Sequence, residues 1–217
     1  MTRRTPASAP DPRKDTSTTT LLMGVALLVA LLIVLAVYWG PHLDPRTPGK
    51  LSRALRATAR WSFLWFFLAS VGGALKTLFG ERFGAMAQHA RDFGLAFASA
   101  HLAHVGLVAW LYLSYGGPGI GILIFFGIGL IFTYLLALLS IQRITARLDP
   151  KLWRWVRTIG VEYISLLFIY DFARNPFSGG VFQLVAYLPF LVLAIAGPLL
   201  RLAAAVQKIR QARLGFR

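Results

Sequence analysis

There is no cysteine among the 217 residues. That absence excludes disulfides, thiolate zinc sites, Cys-ligated iron–sulfur clusters, cysteine nucleophiles and CxxCH haem attachment. Charge is also scarce. Asp, Glu, Lys and Arg make up 14% of the chain, against about 25% in an ordinary soluble domain. Acidic residues are the scarcer sign, 8 against 23 Lys and Arg. The motifs GxGxxG, GxSxG and HExxH are all missing, so nothing marks a nucleotide loop, a serine hydrolase or a zinc protease. What the chain has in excess is apolar: 57% hydrophobic residues and a mean hydropathy of +0.63. These numbers argue against a water-soluble enzyme, and against disorder over most of the length.

The net charge of +15 would point to nucleic acid in a soluble protein. Here the basic residues sit between apolar runs, with no basic stripe elsewhere. The charge therefore reads as topology rather than as a nucleic-acid surface, and the expected partner is the lipid bilayer.

Residues 1–19 are polar, rich in Ser and Thr, and contain Pro6, Pro10 and Pro12, which predicts a disordered tail. The uncharged run Leu21–Trp39 follows, close to the ~20 residues that cross a bilayer. It is too long for a signal-peptide core and ends in Tyr38-Trp39-Gly40-Pro41. Five further spans are predicted, at about 59–79, 93–115, 120–140, 153–173 and 181–202, with residues 206–217 as a basic tail. Segments this long and uniformly apolar are helices, not barrel strands. The expected fold is an all-α integral membrane bundle of six helices over residues 20–205.

Orientation follows from Lys and Arg. Seventeen fall on the side holding the N-terminal tail, the second and fourth connections and the C-terminal segment; six fall on the other side. Both termini are thus expected in the cytoplasm, in a multi-pass protein of the inner (plasma) membrane. One segment breaks the trend. Arg46, Lys50, Arg53, Arg56 and Arg60 lie in or beside the first, outward connection. With Leu51 and Leu55 they suggest a short interfacial helix. Gly117, Gly121, Gly127 and Gly129 in the fourth span read as sites of close helix packing.

Ionisable residues at membrane depth are the functional candidates. His101 lies ten residues past Arg91, roughly 15 Å into the third span. His104 follows at i+3 on the same face. Glu162 lies nine residues past Trp153, roughly 13 Å into the fifth span. This places it near the depth of His101, as a buried carboxyl facing the third helix. The three residues are read either as polar groups joining helices or as ligands. Asp171 and Arg174 read as a solvated i, i+3 pair near the outer surface.

The stretch Arg91-Asp92-Phe93-Gly94 through His101-Leu102-Ala103-His104 resembles the ferric-reductase-like transmembrane family, notably the haem-binding membrane subunits of periplasmic methionine sulfoxide reductases. In that family a ligand His follows ten residues after such a Gly, the spacing of Gly94 and His104. Ser140, Gln142, Leu148, Lys151 and Trp153 are similar to the segment before the family's next helix. The resemblance implies haem b held by His104, with His101 second, in an electron-transfer subunit served by a protein partner. The chain departs from the family where the fifth helix should carry two histidines: counted from Trp153, those positions are Arg157 and Tyr170. No flavin or nicotinamide domain is present in the sequence. The alternative reading is a haem-free membrane anchor or assembly subunit of the same fold.

Overall fold

The computed structural model describes residues 12–39, 49–117, 119–141, 148–174 and 180–215. Among them there is no strand. Seven α-helices follow in chain order: α1 (Pro12–Trp39), α2 (Lys50–Phe79), the short α3 (Gly84–Gln88), α4 (Ala90–Tyr115), α5 (Ile120–Leu139), α6 (Pro150–Ala173) and α7 (Gly180–Leu214). A 3₁₀ turn, Glu81–Phe83, leads into α3. Helices α1, α2, α4, α5 and α7 are each long and apolar enough to cross a membrane. Helix α6 is 24 residues long, but Arg154, Arg157, Glu162 and Asp171 are spread along it and lower its apolarity.

The local signals explain where the helices stop. Gly80 and Gly116, at φ 85° and 78°, end α2 and α4 in a backbone region that suits only glycine. Asp149 caps α6 by accepting from the Lys151 backbone N–H at 2.7 Å, with Pro150 at the first helical position. Helix α7 runs through Pro189 and Pro198 without a break.

Three boundaries differ from the sequence reading. Residues 12–19, expected as disordered tail, are the opening turns of α1. Tertiary contact outweighs their polar composition: Thr19 is buried and donates to Asp92 Oδ1 at 2.6 Å. Residues 1–11 of that tail lie outside the described residues. The basic segment from Lys50 is not a separate interfacial helix but the first turns of α2, since no helix breaker separates it from Ala59. Residues 206–214 likewise continue α7 instead of forming a separate tail.

Helix α2 is the hub, packed against α1, α4 and α7, while α6 lies against α5 and α7. Two seams hold the bundle. Between α1 and α4, Ala26, Ala30, Ala96 and Ala100 are fully buried, so the backbones approach closely. The Trp61 indole N–H donates to the Ala26 carbonyl at 2.8 Å, and Ser99 Oγ donates to the Met23 carbonyl at 2.9 Å. Between α2, α4, α6 and α7 the seam is aromatic: Phe63, Phe66, Phe97, Phe168, Phe172 and Tyr187 form one buried cluster. Of the four glycines named above, Gly129 makes the interhelical approach, because a Cβ there would strike Leu167 of α6. A Cβ on Gly117 would meet only the ring of Tyr112, and Gly121 and Gly127 face open space.

Candidate functional site

The two histidines on α4 are brought together, and His104 is tied to α2. The rings of His101 and His104 stack at 5.3 Å between centroids with 22° between planes. This is the geometry expected of i, i+3 neighbours on one helix face. His104 Nδ1 lies 3.1 Å from Thr58 Oγ1. That hydroxyl also donates back to the Ala54 and Leu55 carbonyls of its own helix, at 2.8 and 3.1 Å. With its one proton engaged there, Thr58 accepts from a His104 tautomer protonated at Nδ1. His101 packs against Phe97 at 5.4 Å, and its Nδ1 is buried with no hydrogen-bond partner. Thr58 was not legible in the sequence, because a Thr in a mid-helix position carries no signal until the helix opposite is known.

Glu162 is elsewhere, which corrects the expectation of a buried carboxyl facing the third span. Its side chain is 45% exposed and pairs with Arg201 of α7. Arg201 Nε donates to Oε1 at 2.7 Å and Nη2 donates to Oε2 at 2.8 Å, a bidentate pair. Nη2 also donates to Ser165 Oγ at 2.9 Å. The register of the bundle explains the misplacement. Phe97 of α4 meets Phe168 of α6. His101 is four residues beyond Phe97, whereas Glu162 is six residues before Phe168. Because α4 and α6 both run antiparallel to α2, the two groups are separated by roughly 15 Å along the bundle axis. Among the described residues, no group of three or more His, Cys, Asp or Glu is placed to hold a metal.

A haem between α4 and α6 would need a ligand from each helix and a gap for a planar macrocycle. That interval is filled by rings: Phe66 lies 5.3 Å from Phe97 and 5.4 Å from Phe168, and Phe97 lies 6.1 Å from Phe168. Arg157 and Tyr170, at the two α6 positions that matter, are exposed. Tyr170 packs on Phe125 and Phe126 of α5, at 5.3 and 6.1 Å. His101 and His104 are stacked one turn apart on one helix and cannot approach one iron from opposite sides. The residues present do not fit a haem held between α4 and α6.

The other side-chain pairs with an acidic partner lie at the helix ends. His89 Nδ1 is 2.9 Å from Asp92 Oδ2, and Lys76 Nζ is 3.2 Å from Glu81 Oε2. Asp171 is partly buried, in electrostatic range of both Arg174 and Arg60 rather than in a simple solvated pair.

The fold and site define a class: an all-helical bundle with spanning-length apolar helices and a stacked histidine pair, one member of which is joined to a neighbouring helix. No protein-family model, curated protein or solved structure matches the chain.

Proposed function

We propose that this chain is a six-span bundle of the inner membrane, with both termini in the cytoplasm, serving as a haem-free membrane anchor or assembly subunit for a protein partner. The observation that carries the reading is the engagement of His104: it is bonded to Thr58, and aromatic rings occupy the space between α4 and α6. Polar groups used this way join helices in lipid, where an unpaired polar atom is costly.

The sixth span of the proposal is α6. Its residues Ile164, Phe168 and Phe172 belong to the central cluster shared with α2 and α7, so it lies among helices that can cross. The Glu162–Arg201 pair offsets charge that would otherwise oppose insertion. Orientation rests on the seventeen-to-six distribution of Lys and Arg. Reporter fusions after Leu214 and within the Gly116–Gly119 turn should read cytoplasmic and external respectively. A C-terminal fusion active outside the cytoplasm contradicts the orientation.

A second reading has one observation in its favour. His101 Nδ1 is buried and unpartnered, as a group awaiting a ligand would be. On that reading the chain is a b-type electron-transfer subunit of the ferric-reductase-like kind. The visible spectrum of protein purified from haem-replete cells separates the two. The anchor reading expects no Soret band and no change on adding dithionite; a Soret band with sharpened α and β bands on reduction favours the cytochrome.

A further inference from the structure

The first three turns of α2 carry Lys50, Arg53, Arg56 and Arg60 and no acidic residue. This is an unfavourable place for cations. The N-terminus of a helix carries the positive end of its dipole, and like charges at i, i+3 and i, i+4 repel. The helix has no side-chain cap at Gly49 to offset either effect. The same segment is the one that runs against the charge asymmetry of the rest of the chain. Local rules broken in this way without compensation mark a functional feature.

The arginines also share a direction. Spacings of three and four place Arg53, Arg56 and Arg60 on one face of α2, and Arg60 is the member that meets α7. The Arg60 guanidinium lies over the Tyr187 ring at 4.6 Å and the Phe190 ring at 5.5 Å. These rings hold Arg60 in place without neutralising it. Arg53 Nε is buried with no hydrogen-bond partner. Lys50 is already committed, donating to the Tyr38 carbonyl at 2.7 Å. Asp171 is the acidic group in electrostatic range of Arg60, and it is shared with Arg174. Among the described residues, Arg53 and Arg56 make no ion pair. The cluster therefore holds more positive charge than the described residues around it answer. Helix α7, on which Arg60 rests through Tyr187 and Phe190, exposes Val181, Val185 and Leu188 on its adjoining outer face, an apolar surface suited to an acyl chain.

We propose that Arg53, Arg56 and Arg60 bind a phosphate group, and that the group is the headgroup of an anionic phospholipid whose acyl chains lie along the start of α7. Guanidinium groups match phosphate oxygens bidentately, which an isolated surface lysine does not. A partly buried stripe with an apolar flank fits a lipid better than a free ion.

The test uses the full chain in a non-ionic detergent, with lipid adducts counted by native mass spectrometry. Phosphatidylglycerol should bind the wild type in preference to phosphatidylcholine. R53Q/R56Q/R60Q should weaken phosphatidylglycerol binding about 100-fold, and R56Q alone about fivefold, each surface cation contributing a similar factor. The single variant keeps the test valid if the triple does not assemble. K208Q/R210Q/R213Q removes the same charge from the far end of α7 and should leave the adduct unchanged. Excess inorganic phosphate should not displace the lipid; if it does, the site takes a free phosphate and the lipid assignment is overturned. Equal binding of both lipids, or a full adduct in R56Q and the triple variant, overturns the site itself.

Discussion

Phe63→Ala should destabilise the bundle by about 2–3 kcal/mol. Phe63 is 1% exposed and touches three other helical turns through rings: Phe168 at 5.0 Å, Phe172 at 5.1 Å and Phe190 at 6.2 Å. It is thus the residue through which α2, α6 and α7 meet. In a lipid-embedded bundle the hydrophobic transfer gain is largely absent, because acyl chains are as apolar as the core. What remains is the cavity. Removing on the order of 100 Å³ at ~24 cal/mol per Å³ gives about 2.4 kcal/mol. Phe63→Leu leaves a smaller void and should cost about 1 kcal/mol. Reversible unfolding in mixed micelles measures both. A Phe63→Ala loss below about 0.5 kcal/mol would mean that the aromatic seam does not hold these helices together.

Arg201→Leu should cost about 2 kcal/mol, between the small value of an exposed pair and the larger value of a buried one. The Arg201 side chain is 16% exposed and Glu162 45%, so solvent or headgroups screen part of the interaction. The loss comes mainly from leaving the Glu162 carboxylate without its two donors. Glu162→Leu leaves Arg201 with Ser165 Oγ as its remaining partner. The double replacement removes both charges, and should lie nearer the wild type than the sum of the singles. A coupling energy of about 1–2 kcal/mol in the double-mutant cycle is the expected result. Additive effects would show that the bidentate pair makes no net contribution to joining α6 to α7.

The spans were readable in the sequence because length and apolarity are local properties. The five helices able to cross begin or end at the expected places wherever a glycine or proline punctuates the chain, as at Gly80, Gly116 and Gly119. The starts of α1 and α2 were misplaced because nothing local stops them. Thr19 is held by Asp92, 73 residues away, and Lys50 onward meets no breaker. The histidine pair was readable because i, i+3 spacing alone places both rings on one face. Its partner Thr58 was not, since the bond joins residues 46 apart and depends on the register of α2 against α4. Glu162 failed for a related reason. Depth was measured from each helix entry, and α4 and α6 do not enter at the same level. Arg201 sits one residue from the end of the last apolar run, whereas Glu162 lies nine residues inside its own. The two meet because the last helix continues past that run to Leu214, which no local signal marked.

The histidine pair admits a direct test, because a packing role and a ligand role respond oppositely to added cofactor. Haemin titrated into detergent-purified protein, compared between the wild type and His104→Ala, reads the difference. If His104 joins α4 to α2 through Thr58, both proteins should show the same weak, unsaturable absorbance change as the detergent alone. A saturable Soret shift of one haem per chain in the wild type, lost in His104→Ala, would contradict the account.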